Sequence, residues 1–390
     1  MLTDGEQRAS LALVRSLGQA GYTVHVCSMN GRSLAGASRY AQQDHPVPDA
    51  LGSPRLFSDR IGGLCRELGI GLLIPVSEGA LLALLSSPLA DKGIIPFPDL
   101  DHVLAVCDKE RVLKAASEAG IAVPAQHVLI NMQGSGTLDV HSLRYPLVIK
   151  PARSINTDGN SRVKFVVKHA ASPSELTDAL GSIPSTAYPL LLQQRIVGPG
   201  IGIFLLLWNN QVVAQFAHRR IREKPPAGGV SVYRESVGID QDLVLRSRLL
   251  LERFAWNGVA MVEYKVDEST GTPYLMEING RFWGSLQLAV DSGVDFPVLL
   301  AQVAAGNHPA PVLTYRTGVR SRWWWGDVDH LLARVTKSPE ALGLPYGAPS
   351  RWRVLADFLK LWRPGDHNEI WRWRDPAPSI RESLEWLKRR

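Results

Sequence analysis

The stretch Tyr274-Leu-Met-Glu-Ile-Asn-Gly-Arg-Phe-Trp-Gly-Ser285, read as an extended strand, puts Glu277, Asn279 and Arg281 on one face and Met276, Ile278 and Gly280 on the other. The second set suits a core. The first lines up a carboxylate, an amide oxygen and a guanidinium. A second carboxylate, Glu263, stands in Met261-Val-Glu-Tyr264, and the intervening Asp267–Thr272 segment reads as a turn. A hairpin would set Glu263 beside Glu277, and two like charges on neighbouring strands call for a cation. Hard oxygen donors of this kind suit Mg2+, which leaves other positions to phosphate oxygens. The apolar neighbours Met261, Val262, Leu275 and Met276 weigh against the alternative, two solvated acids beside Arg281.

Two lysines occupy places that favour anions. Lys150 ends the apolar run Tyr145-Pro-Leu-Val-Ile-Lys150, where an ammonium without an anionic partner is costly. Lys109 begins a helical stretch, whose N-terminus attracts negative charge. Each alone could be an ordinary surface lysine; with the acidic hairpin they form a nucleotide-phosphate site. His218-Arg-Arg-Ile-Arg-Glu-Lys224 reads as a strand with His218, Arg220 and Arg222 on one face, either a solvated basic edge or a surface turned to an anion. Pro225-Pro-Ala-Gly-Gly-Val-Ser231 follows as a loop suited to cover a substrate. Glu78 opens a helix and either faces the same cleft or is a common first-turn acid.

These groups need a scaffold. With 390 residues the chain is long enough for two or three domains. Residues 1–105 alternate helix and strand signals: a helix from Arg8 to Ala20, a strand Tyr22–Cys27, a helix Ile61–Leu68, a strand Ile70–Pro75 and a helix opening at Val76–Gly79. This order implies a small parallel sheet with helices on both faces, and ligands near Asp4-Gly5 and Ser77-Glu78 at the strand ends. A first strand is expected before Thr3, where two residues stand, so the recorded start is expected to be short. Beyond it come a helix Asp108–Gly120, a strand Tyr145–Pro151, a polar loop Ser154–Ser161, a strand Arg162–Val167 and a capped helix Ser172–Leu180. Strands at Leu190–Ile196, Ile201–Trp208, Gln211–Ile221, Gly258–Val266 and Pro273–Ile278 imply an α+β region with antiparallel sheets.

Composition excludes other classes. No run approaches the ~18 apolar residues of a membrane span, and the N-terminus lacks the order of a signal peptide. Cys27, Cys65 and Cys107 are odd in number and widely spaced, which speaks against a disulfide framework or zinc site and for reduced thiols in a cytoplasmic protein. From residue 310 on, 15 Lys and Arg face 9 Asp and Glu, accounting for the whole formal charge of +6, and 8 of the 11 tryptophans lie there. Such a tail could touch nucleic acid or a membrane surface, but its charges are dispersed along amphipathic segments. A packed accessory region is the expectation.

The order Asp108-Lys109, Val148-Ile-Lys-Pro151, Leu192-Gln-Gln-Arg-Ile-Val-Gly198, Val262-Glu263 and Met276-Glu-Ile-Asn-Gly-Arg281 resembles the ATP-grasp superfamily. More narrowly it is similar to the carboxylate–amine ligase group, related to the ATP-binding domains of carbamoyl-phosphate synthase and biotin carboxylase. The resemblance runs from about residue 3 to 305 and continues into Arg322-Trp-Trp-Trp-Gly-Asp327. It implies an α/β plus α+β chain: a pre-ATP-grasp, half-Rossmann-like parallel-sheet domain (1–105), an ATP-grasp domain (106–308, lid 120–197 and large subdomain 198–308) and a Trp-rich basic helical extension (309–390). It implies that Lys109 and Lys150 hold ATP phosphates under a loop containing Ser154 and Gly159, and that Gln193, Gln194 and Ile196 form the adenine hinge. Glu263, Glu277 and Asn279 would ligate Mg2+, with Mn2+ as an alternative. Arg281 and Arg220 would act on the transferring phosphoryl group and the carboxylate, and Glu78, Arg219, Gly228, Gly229 and Trp283 would contact substrate. Departures are the amides Gln193-Gln194 where relatives often carry an acid, and Gly200 where some carry a ribose-binding glutamate. The implied activity is an ADP-forming ligation of a small carboxylate and a small amine, with no membrane span and no nucleic-acid partner expected, by a chain that could be a homodimer. A small-molecule kinase and a non-catalytic nucleotide sensor remain the alternatives.

Overall fold

A computed structural model of the chain describes residues 1–132, 138–159, 161–345, 347–360 and 363–389. Asn160, inside the expected phosphate loop, and Trp362 lie outside the described residues.

The N-terminal part is parallel, as its alternation implies. Strand Val24–Ser28 pairs in parallel with Ala41–Pro46. Leu2 bridges Val26 on one side and Ile74 on the other, so the expected first strand is reduced to a single bridge. Ile70–Pro75 is likewise no full strand; only Ile74 pairs, because Leu2 offers one residue to pair with. Helices Arg8–Gln19, Pro54–Glu67 and Glu78–Leu85 flank this sheet. Ser77 caps the last of them, its side chain accepting from the Ala80 amide.

The centre is a seven-stranded sheet in the order 273–279, 258–266, 200–208, 211–224, 230–236, 320–322, 366–368. Every pair is antiparallel except the last. Strand Gly200–Trp208 reads as one apolar run because both of its faces are covered. Ile203, Leu205 and Leu207 join a core with Ala80, Leu84, Val112 and Leu250. Phe204 and Leu206 point the other way, into a core with Leu13, Val14, Phe282, Trp283 and Leu300. The period-two alternation therefore stitches helix Arg8–Gln19 to one face of the sheet and helices Pro54–Glu67, Glu78–Leu85 and Lys109–Glu118 to the other.

A four-stranded antiparallel sheet, in the order 126–129, 190–194, 147–151, 168–170, forms a separate layer over its own small core of Leu147, Ile149, Leu176, Leu180, Leu190 and Leu192. The expected polar loop 154–161 is instead a hairpin, Ile155–Asp158 pairing with Ser161–Lys164. Its sequence lacks the aromatic and β-branched density that marks most strands. The hairpin leans on the N-terminal part: the Arg162 amide donates to Leu51 O at 2.8 Å.

Residues beyond 308 are not a mere appendage. Arg320–Arg322 and Asp366–Asn368 extend the central sheet, and helices Trp324–Thr336, Arg351–Leu359 and Ala377–Lys388 pack around them. Buried ion pairs tie this region to the N-terminal helix: Arg15 meets Asp375 at 2.8 Å, and Arg8 and Arg234 both meet Glu369 at 2.5 Å. Among the described residues no single helix is long and apolar enough to cross a membrane.

Candidate functional site

Glu263 and Glu277 face each other in register on the hairpin 258–279. On its other side Glu263 faces Gly202 of the next strand, and Gly202 faces His218. Glycine is needed along this lane. A Cβ at Gly200 would come within 2.8 Å of Arg220 Cδ, and one at Gly202 within 3.2 Å of His218 Nε2. With no side chain in the way, Arg220 crosses the strand and reaches Glu263 Oε2 at 2.6 Å. The departure at Gly200 thus has a steric reason in this chain. Arg220 also meets Glu223 at 2.9 Å and Gly229 O at 3.2 Å, which ties the 225–229 loop to the acidic pair.

Around Glu277 the cations come from other elements. Lys109 is the first residue of its helix, capped by Asp108, whose side chain accepts from the Arg111 amide. From there Lys109 Nζ sits 3.5 Å from Glu277 Oε2 and donates to Ser154 Oγ at 2.7 Å. Lys150 reaches in from strand Leu147–Pro151 and donates to Met276 O at 3.1 Å. Asn279 Nδ2 donates to Glu277 Oε1, and Arg281 Nη2 donates to Asn279 Oδ1, each at 3.1 Å. The line Glu277, Asn279, Arg281 is therefore one hydrogen-bonded row.

The two acids sit in different fields. Burial raises Glu263, and although Arg220 opposes this, the neighbouring Glu277 and Glu223 add to the rise. Burial would also raise Glu277, but Lys109 and Lys150 outweigh it and hold its carboxyl down to about 2. Burial pushes the Lys150 ammonium down to about 8, with Glu277 only partly restoring it. If this ammonium holds a phosphate anion, as the sequence resemblance implies, it must be charged to do so. ATP affinity is accordingly expected to fall as pH rises above about 8, by up to tenfold per unit. Titrating the dissociation constant between pH 7 and 9.5 checks this, and Lys150→Met should flatten the profile. The folded value lies below the ordinary 10.5. The unfolded chain therefore binds more protons across that window, and stability of the empty protein should rise with pH there.

Other expected residues are distributed unevenly. Burial pushes the Cys107 thiol up, and nearby Glu78 adds to the rise while Lys109 and Arg281 oppose it, so Glu78 lies close to the same cations. Ser154 touches Lys109, while Gly159 stands at the hairpin turn with φ of 59°. Gln193 is buried and donates to Gln126 Oε1 at 2.7 Å. Gln194 is exposed and Ile196 is buried. Arg195, which sequence reasoning did not single out, donates to Ala227 O at 3.3 Å, linking hinge and covering loop.

Two expectations are corrected. Arg219, adjacent to Arg220 on the strand, points to the opposite face and pairs with Glu235 at 3.1 Å, half exposed. Trp283, expected at the substrate, lies in the core, its ring 4.3 Å from that of Phe204 and 5.1 Å from that of Phe296. Gly228 and Gly229 do lie in the loop that Arg220 touches, and Arg222 turns instead to Asp327.

Comparison with known proteins gives this geometry a setting. Residues 186–325 match a family model described as "ATP-grasp in the biosynthetic pathway with Ter operon". That match takes in the hinge strand, both acids and the first turn after Arg322. Solved structures superpose over most of the chain. An L-amino acid ligase from Bacillus licheniformis aligns with a TM-score of 0.60 at 18% identity, covering 78% of this chain and 73% of that one. The biotin carboxylase domain of Hydrogenobacter thermophilus 2-oxoglutarate carboxylase, in complex with MgADP and bicarbonate, gives 0.62 at 15%, covering 82% and 72%. This chain has the ATP-grasp fold. N5-carboxyaminoimidazole synthetase from Staphylococcus aureus, complexed with ADP, also shares the fold, at a TM-score of 0.62 and 14% identity over 82% of this chain and 79% of that one. A Streptomyces coelicolor protein named "Putative D-alanine--D-lactate ligase" is 28% identical over 151 residues, 37% of this ATP-grasp chain. The alignment spans 40% of that relative's length.

Proposed function

We propose that the protein is an ATP-dependent ligase that joins a small carboxylate to a small amine. The observation that carries this reading is the registered pair Glu263 and Glu277, bracketed by Arg220 on one side and Lys109 and Lys150 on the other. Such a pair suits a divalent cation that is itself held against phosphates. The residues fit Mg2+: two carboxylates and the Asn279 amide offer hard oxygens, and Glu263, raised by burial and by its acidic neighbours, gains from a cation. Among the described residues no three His, Cys, Asp or Glu side chains converge, so the ion would take its other oxygens from ATP and water. When bound, Mg2+ neutralises charge on the phosphate oxygens during transfer.

The chain's own groups would divide the work. Lys109 and Lys150 hold the phosphates as point charges. Arg281, oriented by Asn279 and by the Phe282 carbonyl at 2.9 Å, stabilises the phosphoryl group in flight. Arg220, whose partner Glu263 would be among the groups holding the cation, would then be available to bind the substrate carboxylate. A carboxylate oxygen attacks the γ-phosphorus and ADP leaves; the amine then attacks the acyl carbon, loses a proton and expels phosphate. The ligase names of the Bacillus licheniformis and Streptomyces coelicolor proteins support ligation over simple phosphorylation; the amine as the attacking group follows the first name, since the second names lactate, which attacks through a hydroxyl.

The test is ADP release with ATP and Mg2+ against carboxylates and amines, singly and in pairs. Release requiring one of each is the expected result. A stable phosphorylated product without any amine would make the protein a kinase, and tight ATP binding with no release from any pair would favour a sensor.

A further inference from the structure

Strand Gln211–Lys224 carries Arg220 to Glu263, yet its pairing with Val230–Ser236 is irregular at that point. Arg220 faces Arg234, Arg222 faces Tyr233 and Glu223 faces Ser231, with register shifts between Arg220 and Arg222 and between Arg222 and Glu223. A bulged ladder bends and re-aims the strand, so pairing alone does not fix where Arg220 points. The contacts that do so come from helix Trp324–Thr336. Arg222 Nε and Nη2 donate to the two oxygens of Asp327, each at 2.6 Å. His330 Nδ1 lies 2.6 Å from Glu223 O, and Lys224 pairs with Asp329. All three residues after the bulge's first step are held by this one helix, and the 225–229 loop begins at its next residue.

We infer that the helix Trp324–Thr336 is the positioning element of the reaction centre, with His330 and Asp327 as positioning residues that act through Glu223 and Arg222 on Arg220 and the covering loop. Asp327 is fully buried and also takes Arg322 Nε at 2.5 Å, which fixes the helix start to the sheet. His330 is buried too; its ring spans from the helix to a backbone carbonyl that lies within the bulge. Glu223 is the pivot, because its backbone is gripped by His330 while its side chain grips Arg220. A carbonyl released there frees the Glu223 backbone, and with it the carboxylate that helps hold Arg220 across Gly200. The inference rests on the ligase reading only for Arg220's role at the acidic pair.

The test compares His330→Ala, which removes the donor, with His330→Asn, whose amide nitrogen can stand near the place of Nδ1. Hydrogen exchange followed by mass spectrometry needs no substrate. In His330→Ala, amides of residues 222–231 are expected to exchange about five- to tenfold faster while the other core segments keep their protection. ADP release should slow about 10- to 100-fold with the ATP dissociation constant unchanged, and His330→Asn should restore both. Unchanged exchange at 222–231 in His330→Ala overturns the inference. So does a failure of His330→Asn to restore it, or a loss of protection spread over the whole chain, which would mark a general structural role. If the unsubstituted protein releases no ADP with any pair, the ligase reading fails and exchange alone decides this one.

Discussion

Replacing Glu277 by glutamine is expected to slow ATP turnover by about 100- to 1,000-fold, the range seen when one preorganised electrostatic contact to developing charge is lost. Glutamine keeps the size and an acceptor for Asn279 but removes the charge that Lys109 and Lys150 surround. Initial rates of ADP release at saturating Mg2+ check it, and turnover at the original rate would remove Glu277 from the metal set. Stability moves as well. Glu277 is held near 2 against an ordinary 4.5, so its stabilising contribution is complete above about 4.5 and is lost as pH falls through about 2. The unfolding midpoint of the glutamine variant should lie below that of the parent at pH 7. That gap should close on acidification through the same window. Glu277→Gln also strips Lys150 of its main electrostatic support, so the weakening of ATP binding on the alkaline side should begin below pH 8.

The second large effect concerns Asp327. It sits between Arg222 and Arg322, and Arg322 is further stacked 4.4 Å from the Phe358 ring and 4.8 Å from that of Trp324. Asp327→Ala leaves two guanidinium groups without a counter-charge where water scarcely reaches. Breaking a buried ion set in this way destabilises by about 3–5 kcal/mol. Chemical denaturation of the parent and Asp327→Ala measures the shift. A control follows from the same physics: replacing Arg222, Arg322 and Asp327 together with apolar residues of similar size should restore most of the loss. A triple variant as unstable as Asp327→Ala would mean that packing, not charge, makes this position sensitive.

Much of the site was legible because it is written in period two. Glu277, Asn279 and Arg281 alternate with Met276, Ile278 and Gly280, and the structure forms the hydrogen-bonded row that this alternation describes. Glu263 was legible through the turn length between the two strands. Alternation failed where the strand is bulged: His218, Arg220 and Arg222 were expected on one shared face, and His218 and Arg220 do share it over Gly202 and Gly200, yet Arg222, past the bulge, turns to Asp327. Arg219 was misplaced for a simpler reason, since adjacent strand residues cannot share a face. The strand 155–158, first half of the hairpin whose second half was expected, and the strands 320–322 and 366–368 were missed because three- and four-residue strands have no measurable period. Asp327 and His330 lay in a segment read for its tryptophans. Their partners are about 105 residues away in the chain, beyond the reach of any local pattern.

The two short strands 320–322 and 366–368 matter beyond their length. They cover strand 230–236, which would otherwise present a free row of amides and carbonyls beside the strand that carries Arg220. A chain shortened at residue 308 would expose that row to any passing strand. Self-association through it, visible as concentration-dependent light scattering, is the outcome expected of such a truncation. It also means that grafting another tail onto this sheet would have to supply a matching β-edge, so the region after 308 is inherited with the sheet rather than swapped like a bead on a string.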